Sequence, residues 1–142
     1  MENTATMTTL AARLTPGQDL LAELERLFAG SGAGAGCVLA CVGSLTAAVI
    51  RYANRPESAF LTGHFEIVSL TGVLSPDGAH CHIAVSDGEG VTRGGHLMEG
   101  CRIYTTAEIV LGLLPGARFS RPYDPQTGYP ELAVETMQPD EE

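Results

Sequence analysis

From Cys37 onward the sequence is a succession of strand-like runs, most of them closed by glycine or by a turn signal. That succession limits the fold more than any other feature: it calls for a sheet, largely antiparallel, with short connections. Cys37–Val42 is apolar throughout, as in a central strand covered on both faces. Thr46–Ala53 follows, and Phe60–Leu74 is a long β-rich run with Gly63 and Gly72 at bends or bulges. Ser75-Pro76-Asp77-Gly78 is a strong turn signal, and His80–Ser86 and Val91–Leu97 flank a second turn. Arg102–Leu113 begins β-rich, with Thr105 and Thr106, while its second half also suits a helix. Leu132–Glu135 reads as a last short strand. The 17 glycines and the absence of tryptophan favour turn-rich β structure over a helix bundle.

One helix is clear. Thr15 is placed to cap it, Pro16 suits its first position, and Gln18 completes a capping-box spacing. Leu20, Leu21, Leu24, Leu27 and Phe28 then form one apolar stripe, Glu23, Glu25 and Arg26 take the wet side, and Gly30 is a stop. The following SGAGAG has neither dinucleotide-fingerprint nor P-loop spacing and reads as a connection. The expected fold class is α+β (α/β): a strongly bent, largely antiparallel sheet with this N-terminal amphipathic helix and few others. A length of 142 residues with 44% hydrophobic residues suits a single domain. That domain is expected over residues 10–135, between a polar tail at 1–9 and an acidic tail at 136–142.

Charge narrows the function classes. Eight basic residues, all arginine, stand against 17 acidic ones, for a net charge of −9. Nucleic-acid binders present basic faces that displace counterions from phosphate, so direct binding by this domain is not expected. No charge lies between Arg26 and Arg51, but the dense apolar part is far shorter than the ~20 residues of a membrane span. MENTATMTT has no basic n-region and no apolar core of a signal peptide, so a cytoplasmic location is expected. The four cysteines, Cys37, Cys41, Cys81 and Cys101, form no C-x-x-C pair and read as reduced small hydrophobes. Cys101 follows His96 by five residues and is kept as a lesser metal-ligand candidate.

The chemistry concentrates in three of the four histidines. His80 and His82, one residue apart on a strand, point to the same face about 7 Å apart, while Cys81, Ile83 and Val85 point to the core. Gly88-Glu89-Gly90 suits a three-residue hairpin loop whose last residue is left-handed. That loop sets His82 opposite His96 and Ala84 opposite Gly94, with three imidazoles on one face and small residues beside them. A two-residue loop would turn His96 away, so a metal site implies this register. Three convergent imidazoles are a recognised zinc ligand set with a fourth position open, and nickel, cobalt or iron also suit it. In the run from His64 to Val68, Phe65 and Ile67 face one side, and His64 and Glu66 the other. Glu66 is a candidate fourth ligand or general base. Arg51 is a candidate for orienting an anionic substrate; Arg93 falls on the wrong strand face. Ser44 has no nucleophile-elbow context.

These residues also carry a resemblance. Arg13-Leu14-x-Pro16-Gly17-x-Asp19-Leu20, Gly43-Ser44-Leu45, Phe65 to Gly72, His80-x-His82-x-x-Val85-x-Asp87-x-x-Gly90, Gly94-Gly95-His96-Leu97 and Gly100-Cys101 occur in order. The chain thereby resembles the PPC domain (plants and prokaryotes conserved) from about residue 10 to residue 135. The resemblance implies a small α/β domain assembled as a homotrimer. In plants such domains follow AT-hooks, and stand-alone bacterial members carry a DNA-binding label; this chain has no Arg-Gly-Arg-Pro hook. More distantly, His80, His82 and His96 are similar to the zinc ligands of acetolactate decarboxylase, and Glu66 to a nearby acidic group there. The leading expectation is a homotrimeric, metal-binding PPC-domain protein with a regulatory or DNA-binding, transcription-associated role, with zinc or another divalent transition metal and a regulatory protein partner. The alternative is a small zinc-dependent enzyme, decarboxylase- or hydrolase-like, with Glu66 and Arg51 in catalytic roles.

Overall fold

The computed structural model describes residues 6–137. Among them the elements run β1 (Thr8–Leu14), α1 (Leu20–Ser31), β2 (Gly36–Arg51), β3 (Ala59–Ser75), β4 (Gly78–Ser86), β5 (Thr92–Leu97), β6 (Arg102–Leu113), β7 (Ala117–Ser120), β8 (Tyr123–Asp124), β9 (Tyr129–Pro130) and β10 (Ala133–Thr136). The fold is therefore mostly β, with one helix among the described residues. Six strands form an antiparallel sheet in the order β1-β6-β2-β3-β4-β5. β2 and β3 are 16 and 17 residues long, and a register shift after Leu45 bends them. β2 pairs with β6 as far as Ala47; its last residues, Ile50 and Arg51, then pair with Leu97 and His96 of β5. The sheet thus curls until its β5 end meets β2. Leu45, Ile50, Leu74, Ile83, Ile103 and Ile109 fill the inside of the curl, and Leu20, Leu24 and Phe28 of α1 pack onto them. No helix among the described residues is long and apolar enough to cross a membrane.

Several expectations change here. The helix starts at Leu20, capped by Asp19, not by Thr15. Gly17 adopts φ 86°, which breaks the helical path, and Thr15 and Gln18 bond each other in the turn before it. Asp19 Oδ1 accepts the Ala22 N–H at 3.0 Å, while its Oδ2 accepts the Gly100 N–H at 2.6 Å. The stop is Gly32, at φ 72°, two residues beyond Gly30. The second half of 102–113 is strand, not helix, because β6 is sandwiched between β1 and β2 with Ala107, Ile109 and Leu111 turned inward. Thr8 and Thr9 belong to β1, paired with Leu113 and Gly112, and not to a tail. Residues 1–5 of that expected tail, and 138–142 of the acidic one, lie outside the described residues.

The early part of β2 is central in hydrogen bonding but not covered on both faces. A register shift at Leu39 turns that side chain out, 47% exposed, and Val42 is 64% exposed. Gly63 sits at φ 145° beside the β2–β3 register shift, as expected of a bend. Gly72 instead lies in regular register opposite Cys81, and a Cβ there would overlap the Cys81 Sγ.

Candidate metal centre

The β4–β5 hairpin is built by its turn. The Asp87 N–H donates to the Val91 carbonyl at 3.0 Å, and the Gly90 N–H donates to the Asp87 carbonyl at 3.0 Å. Asp87 Oδ1 accepts the N–H groups of Glu89 and Val91, and Gly90 takes φ 80°. This three-residue loop fixes the ladder, which sets His82 against His96 and Ala84 against Gly94. The curl of the sheet brings β5 against the end of β2 as well: a Cβ on Gly95 would lie 2.5 Å from the Arg51 carbonyl oxygen. His96 is thereby held between His82 on one side and Arg51 on the other.

Three imidazoles converge as a result. The His80–His82, His80–His96 and His82–His96 ring centroids are 5.2, 5.5 and 4.7 Å apart. One nitrogen of each ring lies within 4.8 Å of the others. A tetrahedral ion held at ~2.0–2.1 Å needs ligand nitrogens roughly 3.3 Å apart, a gap that small ring rotations close. The residues present therefore fit a metal of the imidazole-binding class. Burial lowers the pKa of His80, and Arg121, His82 and Arg51 lower it further while Glu131 opposes them. Burial also lowers that of His96, assisted by Arg51, His82 and His80. Both rings are thus biased toward the neutral form that ligates metal.

The imidazoles of His80 and His96 open into a cleft of about 640 Å³, whose wall includes Arg51, Asp77, Arg121 and Glu131. Arg51 is thus brought to the histidines. Glu66 is not: it pairs with Ser86 and Ser44, four residues along β4 from His82, or roughly 13 Å. It lines a separate pocket with His64 and Tyr104, whose rings stack at 4.4 Å. Ser44 Oγ is hydrogen-bonded to Thr105 Oγ1 at 3.0 Å. The Cys101 sulfur is buried against the Val49 backbone, accepting its N–H at 3.2 Å, and takes no part in the cluster. Arg93 lies opposite Val85, on the face away from His96. Sequence reasoning missed Arg121, which follows β7 in a stretch that reads as loop; arginine in so acidic a chain was the sole clue.

A curled antiparallel sheet with three imidazoles on one hairpin defines a small β-rich domain with a candidate metal centre. The Plants and Prokaryotes Conserved (PCC) domain matches residues 1–115, and the chain belongs to that family. It is 53% identical over 125 residues to the Bifunctional protein GlmU of Synechococcus sp. (strain JA-3-3Ab), a match covering 88% of this chain and 20% of that protein. The chain thus spans about a fifth of the length of the curated relatives it matches. Among solved structures, a hypothetical protein from Salmonella cholerae-suis superposes with a TM-score of 0.92 at 40% identity, over 96% of this chain and 100% of that one. The metal-containing protein AF0104 from Archaeoglobus fulgidus superposes with a TM-score of 0.78 at 26% identity, over 93% of this chain and 96% of that one.

Proposed function

We propose that this domain binds a divalent transition metal, zinc foremost, through His80, His82 and His96, and serves as a non-catalytic regulatory module in the cytoplasm. The observation that carries the reading is the facing register of His82 and His96, which gathers three ring nitrogens within 4.8 Å. A solved relative described as metal-containing supports it. So does the family's occurrence as about a fifth of a longer bifunctional protein, a setting that suits an accessory module. The working assembly in this reading is a homotrimer. Val42 and Val68, 64% and 58% exposed, flank the Gly43–Ile67 pair on adjacent strands and offer apolar area for a symmetric contact. A net charge of −9 favours a protein partner over nucleic acid. Elemental analysis of protein purified without a nickel column should find about one equivalent of metal per chain, lost in His82→Ala. Light scattering should give three times the chain mass; a monomer at micromolar concentration removes the trimer.

A second reading, a small zinc-dependent enzyme, is favoured by one observation: the cleft beside the histidines also holds Arg51. Proton transfer there would fall to Glu131 or Asp77, which line the cleft, and not to Glu66. Screening metal-loaded protein against small keto acids and esters tests it; activity equal in His82→Ala would end it.

A further inference from the structure

The wall of the histidine cleft holds two guanidiniums, those of Arg51 and Arg121, that form no ion pair among the described residues. Among the described residues the one ion pair is Arg26–Glu23, far along α1, so neither Arg51 nor Arg121 has a carboxylate partner. The Arg51 Nη1 makes only a long 3.4 Å bond to the Arg55 carbonyl. The Arg121 Nε is buried and has no hydrogen-bond partner. An orphaned guanidinium nitrogen is costly, because it has left water without receiving an acceptor in return. Its position is nonetheless fixed: the Arg121 backbone N–H donates to Asp77 Oδ2 at 2.8 Å, pinning this residue to the β3–β4 turn. The carboxylate of Asp77 is thus engaged by backbone and not by the guanidinium. Glu131 lines the same cleft and acts on His80 in the opposite sense to Arg121 and Arg51. With a divalent ion on the three histidines, two guanidiniums and the ion outweigh these two carboxylates.

We propose that this cleft is a binding site for a small carboxylate, held by Arg121 and Arg51 with one oxygen at the open position beside the three histidines. The inference rests on the metal-binding reading above and names the ligand of that site. Arginine suits the role because its planar fork matches a carboxylate in two parallel bonds. A 2-oxo acid fits best: its keto oxygen is available to the ion while its carboxylate meets the guanidiniums. A neutral ligand of the same shape would lack the charge-assisted pairing that a carboxylate makes with the guanidiniums.

Cobalt(II)-loaded protein provides the test, since the visible spectrum of the ion reports any ligand entering its coordination sphere. Pyruvate should change the spectrum saturably, and pyruvamide at equal concentration should not. In cobalt-saturated Arg121→Gln the pyruvate affinity should fall by about tenfold or more. Arg51→Gln, on a different element, should show a loss of the same sign. Cobalt binding with equal responses to pyruvate and pyruvamide, or with pyruvate affinity unchanged in both arginine variants, overturns the carboxylate site and leaves the metal reading standing. Failure to bind cobalt at all overturns both.

Discussion

The carboxylate of Asp19 joins two parts of the fold that sequence separates by 81 positions, and its removal has a calculable cost. Oδ1 caps α1 through the Ala22 N–H, and Oδ2 holds the Gly100 N–H in the turn between β5 and β6. Loss of a helix N-cap costs about 1 kcal/mol. Leaving the partly buried Gly100 N–H without its charged acceptor adds about 1–3 kcal/mol. Asp19→Ala should therefore destabilise by roughly 2–4 kcal/mol. Asp19→Ser separates the contributions: serine caps nearly as well as aspartate, but its short side chain does not also reach Gly100. It should lose only the second part, about 1–3 kcal/mol. Urea unfolding followed by circular dichroism measures both, at one fixed protein concentration because assembly shifts the midpoint. With a slope of about 1–3 kcal/mol per molar, the alanine variant should unfold at least roughly 0.7 M earlier. Equal midpoints for the alanine and serine variants, or an alanine midpoint unchanged from the parent, would refute the two-ended role.

Three other outcomes follow from the same contacts. Because the pKa values of His80 and His96 are lowered in the folded state, the unfolded chain binds protons first as pH falls. Stability of the metal-free protein should therefore decline from about pH 6.5 downward, levelling off below the lowered folded values, and the decline should shrink in His80→Ala/His96→Ala. Gly72→Ala, which drives a methyl into the Cys81 sulfur, should cost about 1–3 kcal/mol, and Cys81→Ala in the same chain should recover part of it; thermal melts of the four proteins measure the coupling. Burial pushes the Cys81 thiol up to about 12 and that of Cys41 up to about 11, so both should resist iodoacetamide at pH 8 until urea unfolds the chain, as peptide mass mapping would show.

The hairpin that gathers the histidines was legible in sequence because two local signals agree there. Asp87 and Gly90 specify the turn, and strand alternation then assigns every side chain from 80 to 96 to a face. The start of α1 was less legible: Thr15 and Gln18 satisfy each other locally, a bond that looks like a capping box until Gly17 is seen in the left-handed region. The end of β6 was ambiguous because AEIVLGL suits either period, and only its position between β1 and β2 decides. Glu66 lies on a neighbouring strand, but distance along that strand, which alternation does not report, keeps it from the histidines. Arg121 was out of reach for another reason. It arrives at the cleft through the path of an irregular segment anchored on Asp77, and no periodicity encodes that path.

X-ray absorption spectroscopy of the zinc-loaded protein addresses the imidazole tripod most directly. Three imidazole nitrogens at ~2.0–2.1 Å with a single oxygen or nitrogen donor in the fourth position are predicted, and no zinc retained by His82→Ala. A zinc shell made of sulfur or carboxylate oxygen, or a protein that retains no zinc through desalting, would contradict it.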